Sequence, residues 1–307
     1  HLFTEYQLIG TEEIIYKTNA NYSSYNDLNE YAKKETVKQT QAATYQTTSL
    51  TDYRYVGEEP NNYINFNDEL WRIIGVFSVD DGTGKLEERI KLIRNESIGD
   101  YAYDNRSIAT GSGNDWGNSD WLTARLNSLL NPGHESATGG SLYWNSKSGT
   151  CYVLRLDGTT PCDFTTTGLK EEAKTMIGNA KWYLGGTSSY NDDSFTTASN
   201  FYAYERGTTV ISGRATSWIG KIGLMYPSDY AYSTGGTASY SREECLASSL
   251  NNYDTGCYTT SWLRFSDEIK WTMTPYTLYT FRVHSVSYVI SNQSSYGAIA
   301  VYPALYL

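Results

Sequence analysis

The chain has 307 residues and a formal net charge of −10. An acidic balance excludes nucleic acid as the expected partner, because phosphate binding needs a basic face. No apolar run approaches the roughly 20 residues that span a bilayer, and 15% aromatic against 19% charged residues argues against disorder.

Residues 1–50 differ in texture from the rest. Leu28–Thr47 is polar and helix-permissive with few apolar anchors, so residues 1–50 read as an N-terminal polar helical or stalk segment. A signal or anchor is expected ahead of residue 1. Residues 51–307 carry no linker, charge block or repeat and read as one domain. Tyr53–Val56 and Tyr63–Asn65 are short strands, and Glu69–Phe77 is a buried strand dense in β-branched and aromatic residues. Asp80–Gly84 is a turn, and the alternating Arg89–Arg94 is the hairpin partner. Ser119–Leu130 is a Ser-capped helix, and Thr167–Leu184 a second amphipathic helix stopped by Gly185 and Gly186. Trp218–Met225 is a strand and Arg242–Leu250 a short helix. Trp271–Thr274, Arg282–Ile290 and Ile299–Leu305 are strands at the C-terminus. Strands, two helices, then strands is an α+β order with antiparallel sheets.

Little in the sequence carries catalytic chemistry. The histidines are His1, His134 and His284, and nothing places one beside a nucleophile. There is no Gly-rich dinucleotide fingerprint and no P-loop. The pairs Asp80/Asp81 and Asp192/Asp193 read as solvated turns rather than calcium ligands. No metal, no cofactor and no enzymatic activity are expected. The four cysteines form two close pairs, Cys151/Cys162 and Cys245/Cys257. Neither has zinc spacing, and two local disulfides in an exported protein fit better than four reduced thiols in the cytosol.

Tyrosine is the unusual count, 29 against 8 Phe and 8 Trp. With Thr it makes a β-strand composition, and with Ser, Gly and Asn that of an adaptable binding surface. The stretch Trp271–Leu307 holds no Asp, Glu or Lys, and Arg282 is its one formal charge. It joins a Trp-x-x-x-Pro strand end, strands of interleaved bulky and polar residues, and a closing Pro303-Ala304-Leu305.

This tail resembles that of C-type-lectin-fold domains in exported proteins of Gram-positive gut bacteria. Residues 53–77, 181–186 and 216–232 are similar to further segments of that family, so the resemblance covers about residues 51–307. It implies a C-type-lectin-like fold with two main helices and long insertions. That fold is shared with the formylglycine-generating enzymes and with the variable proteins of diversity-generating retroelements. In such variable proteins, adenine mutagenesis rewrites Asn codons across a C-terminal surface. The resemblance implies a diversified ligand-binding surface at Tyr276, Thr277, Tyr279, Arg282, His284, Val286, Tyr288, Ile290, Asn292 and Tyr296. Arg282, His284, Val286, Tyr288 and Ile290 alternate, so on one strand they share a face, and so mixed a face suits display more than a core. The implied function is a surface-displayed adhesin or receptor for a protein or glycan ligand. Its N-terminal segment would attach to a cell-surface or pilus assembly. The alternative is a non-diversified carbohydrate-binding or pilus-type subunit. Two departures stand out. The family's closing Arg-Pro is Tyr302-Pro303 here, and the late cysteine pair of the enzyme relatives is absent from the tail, so their activity does not carry over.

Overall fold

The computed structural model describes residues 3–9, 13–22, 32–33, 36–41, 50–106, 117–187, 197–264, 267–280 and 282–307. Among these the fold is α+β, and nearly all strand pairs are antiparallel.

A nine-stranded sheet forms the base. Strands β1 (Phe3–Ile9) and β2 (Glu13–Tyr22) make a hairpin whose first strand pairs with β5 (Tyr63–Phe66). Strand β3 (Val37–Gln41) pairs with β4 (Leu50–Arg54). The expected polar helix over Leu28–Thr47 holds at residues 32–33 and is corrected at 37–41, which is strand; residues 28–31, 34–35 and 42–47 lie outside the described residues. Local propensity gave way there to the ladder hydrogen bonds that β4 offers. These N-terminal strands add to the same sheet as residues 50–94.

The expected central hairpin is present and longer than read, with β6 (Glu69–Asp80) against β7 (Leu86–Arg94). Its turn is built by the acidic pair. Asp80 Oδ1 accepts from the backbone N–H of Gly82 at 2.8 Å and Gly84 at 2.9 Å, and Asp81 Oδ1 accepts from that of Thr83 at 2.8 Å. Gly75 marks a bulge in β6, where a Cβ would sit 2.1 Å from the Tyr53 carbonyl oxygen of β4.

Strand β8 (Asp100–Tyr101) belongs to a second sheet, and β9 (Ser148–Tyr152) with β10 (Thr159–Asp163) forms an isolated hairpin. Helix α1 (Arg125–Leu130) follows a single 3-10 turn, and α2 covers Glu171–Met176 only. The second expected helix is thus corrected: from Ala180 the chain is strand β11 (Ala180–Tyr183). Ala180, Trp182 and Leu184 are buried and Lys181 and Tyr183 half-buried, a period-two pattern hidden inside residues that also fit a helical stripe. Strand β12 (Ser217–Gly220) pairs with β11, whereas β13 (Ile222–Gly223) crosses to the large sheet, so the expected strand Trp218–Met225 is broken at Lys221. The remaining helices are α3 (Ala198–Glu205), α4 (Pro227–Tyr232), α5 (Arg242–Ala247) and α6 (Thr255–Tyr258). The two main helices expected from the resemblance are replaced by short pieces, none longer than 8 residues among those described.

The second sheet has the order β16–β15–β14–β17–β8, with β14 (Lys270–Pro275), β15 (Arg282–Val286), β16 (Ile290–Ser294) and β17 (Ile299–Ala300). Strand β18 (Ala304–Tyr306) returns to the large sheet beside β7. Both cysteine pairs are disulfides, Cys151–Cys162 across β9/β10 and Cys245–Cys257 between α5 and α6. No helix among the described residues is long and apolar enough to cross a membrane.

A buried ionic network ties the large sheet to the helices. Asp229 of α4 accepts from Arg54 Nη1 at 3.0 Å and from Lys91 Nζ at 2.5 Å, and Arg54 also reaches Asp52 at 3.0 Å. Nearby, Glu205 at the end of α3 accepts from the Ser228 backbone N–H at 2.9 Å and pairs with Arg206 at 3.4 Å. Lys91 Nζ lies 4.4 Å from the centre of the Tyr226 ring. Such a network costs desolvation and is tolerated only when every charge has its partner.

Candidate ligand-binding surface

The tail does not place its ten predicted residues on one displayed face. Strand β15 ends at Val286, Ser287–Val289 turns the chain, and Ile290 begins β16 opposite Val286. Tyr288 therefore falls in the turn, while Ile290, across from Val286, stays on the side shared by Arg282, His284 and Val286. That face is core: His284 and Val286 are 0% exposed and Ile290 is 1% exposed. Their reading as displayed positions is corrected. The His284 ring packs edge-on against Phe201 of α3 at 5.3 Å and Tyr276 at 5.5 Å, and its Nδ1 lies 3.3 Å from the Ser291 carbonyl oxygen. Burial pushes this imidazole down to about 4. A neutral imidazole between aromatic rings suits a core, which is why a mixed sequence face is not diagnostic of display. Tyr276 and Asn292 are likewise buried.

What the structure leaves accessible lies at the two ends of the β15–β16 hairpin. At one end Tyr279 is 45% exposed, Arg282 is half-buried, and the guanidinium sits 5.8 Å from the ring centre. Arg282 Nη1 donates to Asn292 Oδ1 at 2.5 Å, which orients it. Thr277 and Tyr296 are half-buried at this same end, since Arg282 is the register partner of Ser294. At the opposite end Tyr288 is 38% exposed, with Arg264 4.8 Å from its ring centre and Tyr258 beside it at 5.4 Å. The Tyr230 hydroxyl donates to the Tyr288 carbonyl at 2.8 Å and pins that turn. Each accessible tyrosine of the tail is thus paired with an arginine: Tyr279 with Arg282, Tyr288 with Arg264, and Tyr296 with Arg155 at 5.7 Å.

Arg155 comes from the loop between β9 and β10, a contributor absent from the sequence reading. Leu154, Leu156 and Asp157 all have φ near +57°, a left-handed conformation that costs a leucine roughly 1–2 kcal/mol. The loop is held by many bonds. Asn105 Nδ2 donates to the Gly158 carbonyl at 2.9 Å, the Asp157 N–H donates to the Asn105 carbonyl at 3.1 Å, and Arg125 pairs with Asp157 at 2.7 Å. The Cys151–Cys162 disulfide closes its stem. Leu154 and Leu156 nonetheless remain 58% and 57% exposed. The sequence signal was an Arg flanked by two leucines inside a disulfide loop, where a turn ordinarily carries polar residues.

A separate cleft of about 490 Å³ is lined by Glu59, Glu96, Glu268, Tyr63, Tyr302 and Arg72 among others. The Tyr63 hydroxyl donates to Glu59 at 3.0 Å, and the Tyr302 hydroxyl to Glu268 at 2.7 Å. Tyr302, the departure from the family's arginine, thus holds a carboxylate at the cleft. Lys270 lies beneath it, fully buried, with burial pushing its amine down to about 8. Asp100 is pushed up by burial and by the charge of Glu268. The described residues contain no group of three or more His, Cys, Asp or Glu side chains able to hold a metal.

No protein-family model, no curated protein and no solved structure matches the chain.

Proposed function

We propose that the chain is an exported, surface-displayed ligand-binding protein of C-type-lectin-like fold, and that its combining surface is the rim of the C-terminal hairpin. The observation that carries this reading is the pairing of accessible tyrosine with arginine at Tyr279/Arg282, Tyr288/Arg264 and Tyr296/Arg155. Tyr and Arg are the residues enriched at protein interfaces and at their energetic centres. The ring supplies rigid contact area, and the stacked guanidinium gives a preoriented fork for carboxylates. Two disulfides suit an oxidising compartment. The ligand is a protein or glycan carrying acidic groups, since the rim is arginine-bearing on a chain of net charge −10.

On this reading diversification is confined to Thr277, Tyr279, Arg282, Tyr288 and Tyr296. A position that must accept many side chains cannot be His284, Val286 or Ile290, because varying a fully buried residue creates cavities or unpaired polar groups. The test is to sequence the 3′ end of the gene across many cells of one strain. Variation at adenines in the five rim codons, with the buried codons constant, supports the reading; a uniform 3′ end with no neighbouring template copy removes diversification. For binding itself, panning the protein against a glycan and peptide array should yield ligands lost on Tyr279→Ala and Tyr288→Ala with unchanged Tm. Ligands retained by both variants would refute the rim as the site.

A further inference from the structure

Two features of the surface lie apart from the Tyr279 and Tyr288 clusters. One is the β9–β10 loop, whose left-handed Leu154, Leu156 and Asp157 hold two leucines out in solvent around Arg155. Strain of this kind persists only where surrounding bonds over-determine it, and it concentrates at functional positions. The bonds from Asn105 and Arg125 and the disulfide stem make the loop a preformed prong. The other is the cleft between Glu59, Glu96 and Glu268, walled by Tyr63 and Tyr302, with Ile269, 42% exposed, next in sequence to Glu268. The prong carries two leucines and Arg155, and the aromatic-walled cleft carries three glutamates against Arg72, whose guanidinium lies 3.7 Å from Glu59. They share no residue, so one copy of the chain offers both at once.

We propose that the prong of one copy docks in the cleft of a second copy, with Arg155 among the glutamates and Leu154 and Leu156 against the rim of the cleft. Charge complementarity names this occupant: the glutamates of the cleft outnumber its one arginine, and the chain itself carries another arginine on a narrow projection. An arginine fork meeting a carboxylate makes charge-assisted, paired hydrogen bonds. A contact of one loop with one cleft is small, so the association is weak and is expected at high local concentration, as on a crowded surface. Arg155 is shared with the Tyr296 pair of the rim, but the test is separate: it reads self-association, in which neither Tyr279 nor Tyr288 takes part.

The experiment is sedimentation velocity of the whole protein over a rising concentration series, using charge exchange. Wild type self-associates, and added salt weakens it. Arg155→Glu alone sets a glutamate against the acidic cleft, and Glu96→Arg/Glu268→Arg alone sets an arginine prong against a basic cleft; both are expected to be monomeric across the series. Mixed in equal amounts, the two variants restore association, since each prong now meets a cleft of opposite charge. That rescue holds whether the copies form a closed pair or an open chain. Tm of each variant is measured alongside, and the rescue itself requires both to be folded. A wild type that remains monomeric throughout, variants that associate like wild type, or a mixture that stays monomeric would each overturn the proposal.

Discussion

Two separate buried groups, His284 and Glu205, make a prediction that can be worked through in full. The His284 imidazole is pushed down to about 4 by burial, from 6.5 in the unfolded chain. In acid the unfolded chain takes a proton that the native state refuses, so stability present above about 6.5 is lost as pH falls toward about 4. Glu205 is pushed up to about 7, chiefly by burial and against the opposing charge of Arg206, from 4.5 in the unfolded chain. Its contribution is full below 4.5 and is lost as pH rises through about 7. Between 4.5 and 6.5 the two proton counts cancel: the unfolded chain holds one proton on His284, and the native state holds one on Glu205. Each group alone has a slope of about 1.4 kcal/mol per pH unit in that window. Urea unfolding of wild type, His284→Asn and Glu205→Gln at four or five pH values would read it. Asn keeps a donor toward the Ser291 carbonyl, and Gln keeps an acceptor for the Ser228 N–H. Relative to wild type, His284→Asn should gain stability as pH falls and Glu205→Gln should lose it, each by about 1.4 kcal/mol per unit. Comparing with wild type removes the titration of every other group. Curves that run parallel to wild type would refute the burial argument for both residues.

Other outcomes follow from the same geometry. Asp229→Ala strands Arg54 and Lys91 without their shared carboxylate and should cost about 3–5 kcal/mol, read by denaturant titration. Tyr276→Ala, at a 5% exposed site, should cost about 3 kcal/mol or more, whereas Tyr279→Ala should change stability by less than about 1 kcal/mol, although the two rings are neighbours. Intact mass before and after reduction and alkylation should show four thiols released only with reductant, and reduction of each loop should lower stability by roughly 3 kcal/mol.

Much of the scaffold was legible residue by residue. The alternating Arg89–Arg94 and the β-branched Glu69–Phe77 specified a hairpin, and Asp80-Asp81-Gly82 specified its turn, because those signals are local and the turn closes on its own backbone. The cysteine spacings specified two short covalent loops. The helix expected over Thr167–Leu184 was not legible beyond Met176. Ala180, Trp182 and Leu184 satisfy a period of two as readily as a period near 3.6, and only the partner strand Ser217–Gly220 decides between them. The N-terminal strand Val37–Gln41 likewise depends on Leu50–Arg54 for its pairing.

The tail shows the division most clearly. By itself the sequence determined that it is strand, that Arg282, His284 and Val286 share a side, and that tyrosine and arginine supply its chemistry. The structure alone decided that this side lies against Phe201 and Tyr276, that the chain turns at Ser287–Val289, and that an arginine from a distant disulfide loop completes the rim. The physical reason is that alternation reports which residues point together, a property of one strand's pleat. What lies opposite that side, helix, ring or water, is set by elements outside the strand, Phe201 some eighty residues away among them, and no periodicity within the strand encodes it.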